Sequence, residues 1–298
     1  MNNSSNLLVL GATGRVGKLV AANLKKRQAN LSVGTRRKAN LEELADQFGA
    51  SQYIDLDDPR TFDEALKNIT GVFLINGYTV DMLVQSKALV DAAKRSGVKH
   101  IVHLGAFTLD HDAYSTVFAW HQMIEAYVRN SGVAWTNLHP NMFMQNFLSV
   151  WSIKGGFYNA YTSKAVGFTA LEDVAEAATV ILMEGPEKHN GKDYWFSADV
   201  LTPNQVADER QTVAESLASN DRYGLYVHGN GSWRRKLPKR CGTAWLSFRT
   251  SVRKGRARIV RPGRGRKNGL HWKHQGRYKA TPGARAIVVE GLGENTRQ

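Results

Sequence analysis

The chain has 298 residues, 42% of them hydrophobic and 22% charged, which fits a folded domain and excludes wholesale disorder or a collagen-like repeat. Its formal charge of +14, taken alone, nominates nucleic acid or an anionic surface as partner. The charge is uneven, however: residues 1–207 hold 19 Lys+Arg against 20 Asp+Glu, whereas residues 208–298 hold 21 against 6. The basicity belongs to the last 91 residues. No stretch approaches the roughly 20 apolar residues of a membrane helix, so no membrane partner is expected. The single cysteine, Cys241, permits no disulfide framework within the chain. Met1–Asn6 has no basic cluster leading into an apolar run, so a cytoplasmic location without a secretory signal is expected.

The apolar run Leu7–Leu10 reads as a first buried strand. Gly11, Ala12, Thr13, Gly14, Arg15, Val16 and Gly17 follow, then a helix from about Lys18 to Arg27. Strand, glycine turn and helix together suit a dinucleotide. Gly11 allows the tight turn and Gly14 lets backbone approach a pyrophosphate. Gly17 lets the helix pack close, its N–H groups facing the phosphates. A second strand, Leu31–Thr35, ends in Arg36, Arg37 and Lys38. An acid near this point would grip the ribose of NAD. Three cations suit the extra phosphate of NADP, so NADPH is the expected cofactor, with NADH the poorer fit and Arg36 the phosphate ligand.

The alternation continues with strand 52–54, the turn Asp55–Pro59, a helix over 60–68 and strand 72–75. A helix over 81–96 precedes Gly97, a C-terminal cap, and strand 100–104. Helix 117–130 and Gly132 lead to strand 134–138 and Pro140. Strands alternating with such helices predict an α/β fold, a doubly wound parallel sheet of Rossmann type. Ligands bind such sheets beyond the carboxyl ends of the strands. That places Gly11, Arg36, Asp55, Asn76, Gly77, Tyr78, Gly105, Phe107, Pro140 and Phe143 at the site. None of the ten tyrosines is followed four positions later by lysine, and Tyr161 and Lys164 are one residue too close. The tyrosine–lysine relay of ordinary ketone reduction is therefore missing. No His-Glu-x-x-His or Gly-x-Ser-x-Gly pattern occurs, so neither a metal site nor a hydrolase elbow is expected. His139 reads as a hydrogen-bonded structural histidine rather than a ligand.

Several blocks in order resemble the NmrA-like family of atypical short-chain dehydrogenase/reductases: Val9–Gly17, Asp55–Pro59, His121–Thr136 and Pro140–Asn146. Thr169–Glu176 and Leu201–Ala207 resemble later helical units of the family, so the likeness covers about residues 7–207. The resemblance implies an NADPH-dependent reductase of an azo dye or quinone. The alternative it implies is a non-catalytic regulator that senses NADP(H), and an isomerase or ether reductase of aromatic natural products ranks behind both. It also implies Asp55 and Leu56 near the adenine, and His121 near the nicotinamide ribose as positioner or proton donor. Thr13, Arg15 and Val16 would complete the cofactor turn. Tyr78, Phe107 and Phe143, with Trp120, would wall in a small planar aromatic substrate, and the protein would be a monomer or homodimer.

The expected domains are a cofactor-binding domain over 1–150, a small substrate-side annex over 151–207, and a basic tail over 208–298. Beyond Asn220 no helical or strand period persists, and runs such as Arg261–Lys267 are basic and broken by glycine. Such composition predicts disorder. A shifted reading frame, a solvated tail and a single-strand nucleic-acid arm are the three readings, in that order. A nucleic-acid partner is not expected for the near-neutral portion.

Overall fold

A computed structural model describes residues 6–108, 116–148, 152–153, 156–157, 165–208 and 288–292. In chain order its first half contains β1 (Leu7–Val9), α1 (Arg15–Lys26), β2 (Leu31–Thr35), α2 (Leu41–Phe48) and β3 (Ser51–Tyr53). Then come α3 (Phe62–Ala65), β4 (Gly71–Leu74), α4 (Met82–Arg95), β5 (His100–Leu104), α5 (Thr116–Arg129) and β6 (Ala134–Pro140). The second half adds β7 (Met142–Phe143), β8 (Ser152–Ile153), β9 (Gly156–Phe157), β10 (Val166–Thr169) and α6 (Leu171–Glu184). It ends with α7 (Pro186–His189), β11 (Lys192–Phe196), β12 (Asp199–Leu201) and β13 (Val288–Leu292).

Eight strands form one sheet in the order β13-β11-β6-β5-β4-β1-β2-β3. Seven of them are parallel, and β13 is an antiparallel edge strand on β11. This is the doubly wound order of a Rossmann sheet with a seventh parallel strand, β11, added beside β6. Strands β1, β4 and β5 are fully buried, which explains their continuous apolar runs: parallel strands are covered on both faces. On α1 the buried positions are Val16, Gly17, Val20, Ala21 and Leu24, one face of a 3.6-residue helix. One core layer packs α1, α2 and α6 against the sheet; the other packs α3, α4 and α5 on the opposite face. Gly97, just past α4, adopts φ +77°, the left-handed geometry of a glycine cap.

Four sequence expectations change. The helix predicted over 60–68 is a 3-10 turn, Pro59–Thr61, followed by only the single turn of α3. Helix α2 was missed, although Leu44 and Phe48 lie four residues apart on its buried face. The boundary expected at 150 does not divide the sheet: α6 and β11 belong to the main layers, and among the described residues the small sheets outside it are β12-β10-β7 and β8-β9. Finally, β13 falls within the segment predicted to be patternless. Val288 and Val289 are β-branched, and β13 pairs antiparallel with β11, covering the edge that β11 would otherwise present. The other predictions for residues 209–287 lie outside the described residues. No helix among the described residues is long and apolar enough to cross a membrane.

Candidate functional site

The glycine turn joins β1 to α1 at the carboxyl edge of the sheet. Gly11 adopts φ +66°, and a Cβ there would lie 2.8 Å from Ile75 Cγ2. The Gly14 N–H donates to the Gly11 carbonyl at 2.8 Å, closing the turn. At Gly17 a Cβ would sit 2.3 Å from the Gly11 carbonyl oxygen, so α1 lies directly against the turn. Gly14 caps α1 with no side-chain hydrogen bond, and the first turn carries no acid. An uncapped helix N-terminus of positive partial charge is thereby presented at the strand edge, a fit for a diphosphate. Thr13 and Arg15 are exposed on this rim, whereas Val16 points into the core. Arg15 Nη2 donates to Asn146 Oδ1 at 3.0 Å, tying the rim to the segment after β7.

Beside it, the Ile54 N–H donates to the Thr35 carbonyl and holds the ends of β2 and β3 together. Arg36 extends from this corner with its side chain two-thirds exposed, 3.8 Å from Asp57 Oδ2. An ion pair this exposed and long contributes little, so the guanidinium can turn to another anion. Asp55 is committed to its own turn: its N–H donates to Thr61 Oγ1 and its Oδ1 accepts from the Asp57 N–H. Leu56 packs against the second core layer. Past β4, Asn76 Oδ1 accepts from Ser86 Oγ at 3.1 Å, which fixes the amide. A Cβ at Gly77 would meet open space, so nothing in the packing demands glycine there.

The structure brings Tyr78 and His121 together: the phenol oxygen lies 3.3 Å from His121 Nε2, with the rings edge to face. Tyr78 is 65% exposed, His121 only 3%. Burial, with a smaller contribution from the charge of His139, lowers the His121 pKa from 6.5 to about 4. It therefore meets a ligand as a neutral imidazole rather than as a charged acid. The Phe107 N–H donates to the Pro140 carbonyl at 2.9 Å, and the Gly105 N–H to that of Leu138, joining the ends of β5 and β6. Phe143 packs on the α1–α6 layer and Trp120 on the α3–α5 layer.

Beneath Gly105 lies a polar cluster that the sequence reading missed. Asp193 on β11 accepts at Oδ1 from Arg129 Nη2 (2.7 Å), His139 Nε2 (2.9 Å) and Asn137 Nδ2 (3.0 Å). Burial alone would raise its pKa, but the His139 and Arg129 bonds hold it below the ordinary value. His139 stacks on Trp195 with ring centroids 4.3 Å apart, and its Nδ1 faces the Ala106 carbonyl at 3.2 Å. The structural role expected of His139 is what its contacts describe. The only hint was an aspartate inside the otherwise strand-like run Lys192–Phe196. Among the described residues no group of three or more His, Cys, Asp or Glu could hold a metal ion.

Two buried histidines set an acid limit on the fold. Thr136 Oγ1 donates to the His189 carbonyl, so His100 Nε2 must donate to Thr136 Oγ1 (2.8 Å), which fixes its neutral tautomer. Burial, then the charge of His189, lowers the His100 pKa to about 4. For both His100 and His121 the unfolded chain binds a proton that the native state refuses, so stability falls as pH drops from 6.5 towards 4. The loss reaches about 3 kcal/mol for each group at the acid end. Urea midpoints measured from pH 7 to pH 4 should fall steadily, and His100→Gln should flatten part of that slope.

The NmrA-like family model matches residues 3–218. This chain belongs to the NmrA-like family. Among family-like proteins, the NAD(P)H azoreductase of Xenophilus azovorans is 31% identical over 179 residues, 59% of this chain and 63% of that one. The chain thus spans less than two thirds of that relative's length. The triphenylmethane reductase of Citrobacter sp., solved with NADP(H), superposes with a TM-score of 0.63 at 25% identity. The match covers 70% of this chain and 76% of that one. The negative transcriptional regulator NmrA, solved with NADP, gives a TM-score of 0.59 at 20% identity over 72% of each chain and shares the fold. Proteins similar to this chain thus include two named as reductases, and a regulator shares its fold.

Proposed function

We propose that this NmrA-like protein is an NADPH-dependent reductase that passes hydride to a planar conjugated acceptor, an azo compound or a quinone. The observation that carries the reading is the uncapped N-terminus of α1, held against Gly11 and Gly14 at the strand edge. The names of the azoreductase and triphenylmethane reductase relatives support a conjugated acceptor. When bound, NADPH supplies the hydride. This chain's residues hold its diphosphate at Gly11–Gly17, bind its 2′-phosphate with Arg36 and orient its nicotinamide end beside Gly105, Tyr78 and His121. An acceptor of this kind needs no tyrosine–lysine relay, in keeping with the absence of that pair.

The reaction test is stopped-flow loss of NADPH absorbance with a panel of azo dyes and quinones. Tight cofactor binding with no turnover on any acceptor would replace the reductase by a sensor of the NADP(H) state. Cofactor choice has its own test. Arg36→Ala should weaken NADPH binding about tenfold or more and leave NADH nearly unchanged, because only NADPH carries the phosphate for a charge-assisted bond. An unaltered NADPH preference in that variant would remove Arg36 from the site.

A further inference from the structure

Glu125, on α5, is buried among other groups on every side and is only 4% exposed. Its Oε1 makes no hydrogen bond. That oxygen fills the space a side chain at position 105 would take, since a Cβ on Gly105 would lie 2.4 Å from it. His139 Nδ1 lies 3.4 Å away across the same turn and also faces the Ala106 carbonyl at 3.2 Å. The other side of that imidazole is committed, because Nε2 donates to Asp193. A carboxyl oxygen, a carbonyl and a ring nitrogen thus converge with no donor among them unless one proton is added. Both Glu125 and His139 press on the backbone of Gly105 and Ala106, the turn that borders the nicotinamide in the reading above.

We infer that Glu125 and His139 share one exchangeable proton beneath the Gly105–Ala106 turn, and that this proton leaves when a cationic nicotinamide replaces a neutral one. The inference rests on the proposed cofactor site and goes beyond it. The ring of NADPH is neutral and that of NADP⁺ carries one positive charge. With NADPH bound, the pair keeps its proton and is neutral. Hydride transfer takes two electrons and one hydrogen nucleus to the acceptor and leaves the ring cationic. The pair then gives up its proton to solvent and becomes anionic, which offsets the new charge. The reduced acceptor gains one proton in the same turnover, and the pair is reprotonated from water when NADP⁺ departs.

The surroundings set where this proton titrates. Burial raises the Glu125 carboxyl to about 7; His139 and then Arg129 oppose the rise, and Asp193 adds to it. Arg129 Nη2 stands 3.8 Å from Glu125 Oε2. His121 lies one turn earlier on α5, and His103 on β5 is in ring contact with it, 5.9 Å between centroids. Burial and the neighbouring charges of His121 and His139 keep His103 well below 6.5. The carboxyl that exchanges a proton near neutrality is therefore Glu125, whose Oε1 faces His139 Nδ1.

The test is the ratio of the dissociation constants of NADPH and NADP⁺ from pH 6 to pH 8.5, by isothermal titration calorimetry on the full chain. The 2′-phosphate is common to both nucleotides, so its own titration cancels in the ratio. NADP⁺ should gain on NADPH by roughly fivefold or more as pH rises through 7. Adding NADP⁺ to the protein in dilute buffer at pH 7 should also release protons that an indicator dye detects. The isosteric Glu125→Gln should flatten the ratio and abolish the release. A flat ratio in the unmodified protein overturns the inference without needing the variant, and so does an undiminished pH dependence in Glu125→Gln. If neither nucleotide binds at any pH, the cofactor reading fails first and this inference falls with it.

Discussion

Gly17→Ala should reduce nucleotide affinity about a hundredfold and destabilise the fold by about 1–3 kcal/mol. The added methyl would lie 2.3 Å from the Gly11 carbonyl oxygen, 2.5 Å from its carbon and 2.7 Å from the Leu10 oxygen. All three are backbone atoms, so no side chain can swing aside, and either α1 or the turn must move. Any such movement pulls the α1 N–H groups away from the position a diphosphate would occupy. Quenching of intrinsic fluorescence on NADPH titration measures the first effect, and a urea midpoint measures the second. Binding within twofold of the parent protein would mean that the α1 N-terminus does not hold the cofactor.

Asp193→Ala should cost about 3–5 kcal/mol, the loss expected when one partner of a buried charged cluster is removed. Its Oδ1 is the shared acceptor for Arg129, His139 and Asn137. Without it, three donors remain beneath the ends of β5 and β6, at least two of them buried, and the Trp195–His139 stack loses its anchor. Denaturant midpoints should fall accordingly, and Asp193→Asn should fall less because an amide oxygen can still accept. The pH dependence has a definite sign. The pKa of Asp193 is held below 3.8 in the fold, so its contribution is present above that value and is lost as pH drops further. A midpoint unchanged in Asp193→Ala would show that the cluster does not support the fold.

The two cases differ in what could be read from the residues alone. Gly11, Gly14 and Gly17 sit within seven positions of one another, after an apolar run and before a helical one. Tight turns and close helix approach are local demands, and only glycine meets them at such spacing. The charge partition at residue 207, the alternation from β1 to β6 and the cap at Gly97 are local in the same sense. Helix α2 is equally local: Leu44 and Phe48 stand four residues apart on its buried face.

Asp193 meets His139 across 54 positions and Asn137 across 56, and no spacing rule spans such gaps. Their meeting depends on β11 entering the main sheet beside β6, in the register that sets Asp193 opposite Asn137 and Trp195 opposite His139. The Gly105–Glu125 contact likewise requires α5 to pack beneath the end of β5. Neighbours in the chain decide the backbone geometry of the strand–turn–helix proposed to hold the dinucleotide, so that unit is legible from the residues alone. Only the tertiary structure decided which buried polar groups face one another, because hydrogen-bond partners across parallel strands are chosen by sheet order and register.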